Sequence, residues 1–284
     1  MFTTQGENYL RADDIRHLYT PRAINAEKRD FGNLLLIGGS YGMIGSITMS
    51  TLAALRSGAS LVTVLAPSCG YEILQKKVPE AMVLDTTDEK FLSQLSDIQR
   101  FKILGIGPGI GKNKATISFI DSLLTLDRPM LIDADALNII ADQNWQKRIP
   151  KGSIITPHKR EFSRLFGESK TEGQLLETQK EKALELGIYI VLKGVHTRIV
   201  FPDKQVYYNS TGNPGMAKAG SGDVLSGIIT GLWARFNNPE KAVLMGVYIH
   251  GLAGDIASFK FHQESMLATD IIDCLPDAFK QLFP

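Results

Sequence analysis

The sequence predicts an α/β protein, a mostly parallel sheet layered between helices, as one domain over residues 1–284. Three observations carry this. Short β-branched or leucine-rich runs recur, and most end in glycine, proline or aspartate. Helical patterns lie between them. A late pair of short runs around "PDK" reads as a β-hairpin.

The elements follow in order. "NLLLIGG", "SLVTVLAP", "FKILGIGPG", "PMLIDADAL", "GSIITPH" and "IYIVLKG" are each too short for a helix. They fit buried parallel strands that open into loops at their C-terminal ends. "SITMSTLAALRSGA" follows the first run and "KATISFIDSLLTL" the third, both with helical spacing. "REFSRLFG" and "ETQKEKALELG" separate the fifth from the sixth. "TRIVFPDKQVYYNSTG" supplies the hairpin. Three helices complete the chain: "GDVLSGIITGLWARF", "PEKAVLMGVYIHGLAGDIASF" and "ATDIIDCLPDAF". No low-complexity linker divides the 284 residues.

Composition narrows the function. Lysine plus arginine is 31 and aspartate plus glutamate is 30, a net charge of +1. That balance gives no support to a nucleic-acid or membrane-surface role. Cys69 and Cys274 match no zinc spacing and fit a reduced, cytoplasmic setting. The polar start "MFTTQGENYLRADDIRHLY" does not read as a signal peptide, and no apolar run reaches the ~18 residues of a membrane span.

Ligands of open α/β sheets gather beyond the carboxyl ends of the strands, so the glycine-rich strand ends matter most. "GGSYGMIGS", residues 38–46, lacks G-x-G-x-x-G spacing, and no acid closes the second strand to hold a ribose. "GIGPGIGKNK" is not a Walker loop, because Ile106 and Asn113 stand where glycine and serine or threonine are needed. Tight turning alone would also explain either cluster.

"GNPGMAKAGSGDVLSGIITGLW", residues 212–233, carries more. Glycines 220 and 222 leave backbone amides unobstructed, and a helix starting near Asp223 adds the positive end of its dipole. Together they would form an anion hole suited to phosphate. Asp223 is either a helix N-cap or a base; the residues alone leave both open. A hydroxyl held between a base and an anion hole is the geometry of phosphoryl transfer.

"AGSGDVLSG" resembles the signature of ribokinase-like small-molecule kinases, and "TPHKREF" resembles their P-N-x-x-E element, with His158 for asparagine and Glu161 as the acid. The order "GGSYGMIGS", "GIGPGIGK", "DADALN", "TPHKREF", "VLKGVHT", "GNPGMAKAGSGDVLSGIITG" is similar to one branch of that superfamily, the ADP-dependent NAD(P)H-hydrate dehydratases. The resemblance implies a ribokinase-like three-layer α/β/α sandwich with a mostly parallel central sheet. It implies repair of NADH or NADPH hydrated at carbon 6, S epimer, with ADP as co-substrate (ATP as a possible substitute) and Mg²⁺. It implies Asp223 as base and Gly220, Ser221 and Gly222 as the hole. Ile44, Gly45, Ser46, Gly107, His158 and Asp223 would contact the substrate. Lys193, Gly194, Val195, His196, Thr197 and Gly222 would contact the nucleotide, and Glu161 would help hold the metal.

From the residues alone, His158 is as readily a capping residue, Glu161 a solvated helix-face acid and Lys193 a turn-flanking lysine. Asp133, Asp135 and Asn138 face the same edge without an assigned role. Some family members carry a fused epimerase; the roughly thirty residues before the first strand are too few for one, so a separate epimerase is expected. A homotetramer is also implied. The rival readings are a ribokinase-like kinase of a small alcohol, such as a hydroxyethylthiazole or hydroxymethylpyrimidine, and a nucleotide sensor without turnover.

Overall fold

The computed structural model describes residues 8–84, 86–95 and 98–284. In chain order the elements are α1 (Ala12–Leu18), β1 (Asn33–Ile37), α2 (Ile44–Arg56), β2 (Leu61–Leu65), α3 (Tyr71–Lys77) and β3 (Met82–Val83). Then come β4 (Ile103–Ile106), α4 (Lys114–Leu124), β5 (Leu131–Ile132), α5 (Ala134–Asp142), β6 (Ile154–Ile155), α6 (Lys159–Phe166) and α7 (Glu172–Leu186). The last are β7 (Tyr189–Leu192), β8 (Arg198–Val200), β9 (Val206–Tyr208), α8 (Ser221–Phe236), α9 (Pro239–Phe261) and α10 (Ala268–Leu282).

The strands form one nine-stranded sheet in the order β3-β2-β1-β4-β5-β6-β7-β8-β9. β3 through β7 run parallel, and the expected hairpin β8–β9 closes the edge antiparallel. Side chains alternate across the sheet with period two. Leu34 and Leu36 join a core with α2, α8, α9 and α10, while Leu35 and Ile37 join a second core with α4, α5, α6 and α7. These two cores make the three layers.

Three parts differ from the sequence reading. "PMLIDADAL" is a strand only at Leu131–Ile132, and α5 begins at Ala134. Asp133 follows the strand as the N-cap of α5, and the chain turns at Ala134, which takes a left-handed φ of 51°. α1, α3 and the two-residue β3 were not anticipated; each is short, so its period is weak. α9 passes the length and hydropathy test for a membrane span, at mean hydropathy 1.4, which a search for unbroken apolar runs misses. Yet 67% of that window is buried, packed against α8 and α10.

The packing of α8 on α2 places the site. Gly227 and Gly231 sit one turn apart on the α8 face that meets α2. A methyl group on Gly231 would lie 2.6 Å from the Ala54 carbonyl oxygen, and one on Gly227 would overlap the Ser50 carbonyl. The bare backbone lets the two helices touch. Ser50 Oγ then donates to the Asp223 carbonyl at 2.8 Å, tying α2 to the first turn of α8.

Candidate active site

β1 neighbours β2 on one side and β4 on the other, so the chain reverses its winding there. Such a switch point opens a crevice at the carboxyl ends of the strands. Two glycine loops fill its rim. Gly39 N–H donates to the Pro108 carbonyl at 2.8 Å, and Ser40 Oγ donates to the Gly109 carbonyl at 2.8 Å. The loop after β1 leads into α2, whose first residues are Ile44, Gly45 and Ser46. Gly107, at φ 120°, lies against the end of β5, and a side chain there would overlap the Asp133 carbonyl oxygen.

α8 opens on the same edge. Its N-cap is Gly220, at φ 92°, a left-handed conformation that costs glycine little. Asp223 is therefore the third helical residue and not the cap, and no side chain caps this helix. That removes the N-cap alternative. The Ser221 amide is already engaged, donating to the Lys218 carbonyl at 3.3 Å. The first four amides of a helix have no intrahelical acceptor, so those of Gly220, Gly222 and Asp223 are left at this helix end. Gly222 does not use positive φ; its openness matters because a Cβ would stand 3.3 Å from Lys193 Nζ.

The Asp223 carboxyl is partly buried. Withdrawal from water, followed by the nearby Asp133 charge, pushes it up to about 6, against the hydrogen bond from Ser46 and the attraction of Lys193. A carboxylate with that affinity accepts a proton near neutral pH and is mostly ionised when it does so.

Lys193, at the end of β7, is the cation of the cluster. Its Nζ lies 2.8 Å from Asp133 Oδ1 and 3.9 Å from Glu161 Oε2, with the side chain 20% exposed. Burial alone would pull the ammonium down, but Asp133 and Glu161 more than offset this and hold it above the usual lysine value. Asp133, 1% exposed, also accepts a hydrogen bond from the Ser226 hydroxyl of α8.

His158 and Glu161 form a capping box at the start of α6. His158 Nδ1 accepts from Glu161 N–H at 3.2 Å, and Glu161 Oε2 accepts from His158 N–H at 2.8 Å. Burial and then Lys193 lower the His158 pKa, so the ring is neutral at pH 7. Its capping role is real; its half-exposed ring places Nε2 3.5 Å from Glu161 Oε1, and its backbone bridges to that of Lys193. Glu161 is not a solvated acid: its side chain is 7% exposed, and burial pushes its pKa up.

The other expected nucleotide contacts are less clustered. Val195 stands 95% exposed at the tip of the turn after β7. His196 Nδ1 meets the Asn209 carbonyl at 3.2 Å, and its ring packs edge-on against Tyr9. Thr197 Oγ1 donates to the Gly194 carbonyl at 3.3 Å. These contacts shape the turn, and none joins the Asp223 group. Asp135 accepts from the Gly111 amide at 3.1 Å, and Asn138 accepts from Arg164 at 2.8 Å, so both brace loops and helices.

Two residues were missed. Ser226 lies one helical turn beyond Gly222. His250 of α9 places Nε2 3.4 Å from Ser221 Oγ, and burial pushes its pKa down to about 4, so the imidazole is neutral. A lone histidine inside the apolar run "GVYIHGLAGDI" was the available signal.

The sequence model of the NAD(P)H-hydrate dehydratase family matches residues 34–277. The chain is 38% identical over 279 residues to a bifunctional NAD(P)H-hydrate repair enzyme of Moorella thermoacetica, covering 92% of this chain and 52% of that protein. It thus spans about half the length of such bifunctional relatives. It is 33% identical to an ADP-dependent (S)-NAD(P)H-hydrate dehydratase of Bacillus subtilis, over 95% of this chain and 96% of that one. The crystal structure of the Bacillus subtilis ADP/ATP-dependent dehydratase, co-crystallised with ATP/Mg²⁺, superposes with TM-score 0.86 at 29% identity, covering 98% of this chain and 100% of that one. The nine-stranded sandwich is the ribokinase-like fold. With this match running through every loop of the crevice, the chain belongs to the NAD(P)H-hydrate dehydratase family.

Proposed function

We propose that this protein restores NADH or NADPH from the S epimer hydrated at carbon 6, converting ADP to AMP and phosphate. The observation that carries the reading is Asp223: a carboxylate raised to about 6, hydrogen-bonded to Ser46 in the first turn of α2, and itself on the first turn of α8.

In this reading Asp223 takes the proton of the carbon-6 hydroxyl. The oxygen forms a bond to the β-phosphorus of ADP, and the bond from that phosphorus to the AMP oxygen breaks. Amides at the start of α8 and the Lys193 ammonium stabilise the charge on the transferred group. The ring-nitrogen lone pair then expels phosphate by breaking the carbon–oxygen bond. Loss of a proton from carbon 5 returns the dihydronicotinamide. Ile44, Gly45, Ser46, Gly107 and His158 line the substrate side, and the turn from Lys193 to Thr197 the nucleotide side.

Magnesium fits a limited role. Among the described residues no group of three or more histidine, cysteine, aspartate or glutamate side chains could hold a metal. Glu161 offers a buried carboxylate, and the Thr156 hydroxyl nearby in sequence is buried without a partner. One carboxylate with water and nucleotide phosphates is the usual magnesium arrangement. Such an ion would neutralise charge on the phosphates.

The test is one assay. Hydrated NADH, ADP and Mg²⁺ are mixed with the protein, and AMP, phosphate and reduced-ring absorbance are followed together. Equal yields of all three support the reading. AMP accumulating beside a stable phosphorylated alcohol, with no recovered absorbance, assigns a kinase instead.

A further inference from the structure

We propose that Asp133 is a positioning residue: by gripping Lys193 and Ser226 together, it fixes the Lys193 ammonium at the rim of the anion hole. This rests on the function proposed above.

Three independent observations support it. The first is connectivity. Asp133 directly follows β5 and Lys193 directly follows β7, with β6 between the two strands, so the ion pair at 2.8 Å reaches across the end of a strand. The other carboxylate oxygen accepts from Ser226 of α8. Ser226 Oγ in turn lies 3.1 Å from the Gly222 carbonyl, so one side chain joins β5, β7 and the first turn of α8.

The second is where the ammonium ends up. Lysine has a flexible four-carbon stem and no fixed geometry of its own. Here Nζ stands 3.3 Å from the place a Gly222 Cβ would occupy, beside the amide that a phosphate would approach. Without Asp133, the one carboxylate left within 4 Å among the described residues is Glu161 of α6 at 3.9 Å, and Asp223 of α8 adds the smaller of the two attractions.

The third is the rigidity of the grip. Asp133 is 1% exposed. Ala134 follows it at φ 51°, a conformation non-glycine residues seldom hold unless surroundings enforce it. Gly107 receives the Asp133 carbonyl where any side chain would collide. A strained turn and a bare glycine both serve to hold this one carboxylate in place.

The test is a mutant cycle with a spectroscopic check. Asp133→Asn should lower kcat about 10²-fold, the scale of a misplaced catalytic group, while KM for ADP changes less than about threefold. Lys193→Met should show a similar loss, and the double variant should be no slower than Lys193→Met alone. Ser226→Ala, which removes only the second partner, should cost less. In ¹⁵N-lysine-labelled protein, a slowly exchanging ammonium signal, assigned by its absence from Lys193→Met, should vanish in Asp133→Asn.

A merely structural Asp133 would lower Tm but leave kcat of the folded fraction intact. Losses that multiply in the double variant, a wild-type kcat in Asp133→Asn, or an ammonium signal that survives that substitution would each overturn the proposal. Wild-type protein that yields no reduced cofactor, yet loses the ammonium signal on Asp133→Asn, would overturn the function and leave the positioning role standing.

Discussion

Asp223→Asn should separate what this side chain does for catalysis from what it costs the fold. In the folded protein its pKa is raised from 3.8 to about 6, mainly by withdrawal from water. The sign is the reverse of a salt-bridged acid: the native state holds its proton more tightly than the unfolded chain. The native state therefore carries no penalty below about pH 4, loses stability as pH rises through about 6, and stays at the lower level above that. Two pKa units at about 1.4 kcal/mol each set an upper scale of about 3 kcal/mol. For a chain of this size about 2 °C of Tm accompanies each kcal/mol, so the shift amounts to about 6 °C. Asparagine fills the same volume, can still bond Ser46, and cannot ionise. The difference in Tm, variant minus wild type, should thus grow by about 3 °C between pH 5 and 8, roughly half of the full change, the rest falling between about pH 4 and 5, measured by calorimetry in one buffer series. Over the same range the variant should turn over about 10²–10⁴-fold more slowly, the contribution of a general base. A Tm difference that stays flat with pH would mean that Asp223 is not held against its ionisation, and the base assignment would lose its physical support.

Other outcomes follow from the same geometry. The acid limb of kcat/KM in the wild type should fall with a midpoint near pH 6, because a protonated Asp223 cannot accept the hydroxyl proton; a limb below about pH 5 would point to another group. Gly222→Ala, adding a methyl 3.3 Å from Lys193 Nζ within regular helix, should leave Tm nearly unchanged and weaken AMP binding about tenfold by calorimetry; equal affinity would move the nucleotide elsewhere. Gly227→Ala drives a methyl into the Ser50 carbonyl, so denaturant unfolding should show a loss of about 3 kcal/mol; a neutral change would mean that α8 and α2 are not in backbone contact. Glu161→Gln keeps an acceptor for the His158 amide, so Tm should hold within about 2 °C while half-saturating Mg²⁺ rises about tenfold or more; an unchanged magnesium requirement would leave Glu161 as a cap only.

The sequence by itself determined most of the layering and the places where chemistry gathers. Buried strands such as Asn33–Ile37 and Tyr189–Leu192 and long helices such as Ser221–Phe236 have periods that local residues dictate, and glycines mark their loops. Motif order sufficed to bring Asp223, Glu161 and Lys193 into view. It did not reveal that Asp223 lies inside the helix with Gly220 as cap, because that depends on the one residue at φ 92°. Nor did it separate strand from helix in "DADALN", where the break at Ala134 is held by the close approach of Gly107. Above all, the tertiary structure decided the electrostatics. Asp133 and Lys193 are 60 positions apart, and their ion pair exists because β5, β6 and β7 lie side by side. Periodicity and turn chemistry act between near neighbours in the chain. Desolvation and charge act through space, so the proton affinity of Asp223 depends on neighbours that only the folded sheet and helices bring to it.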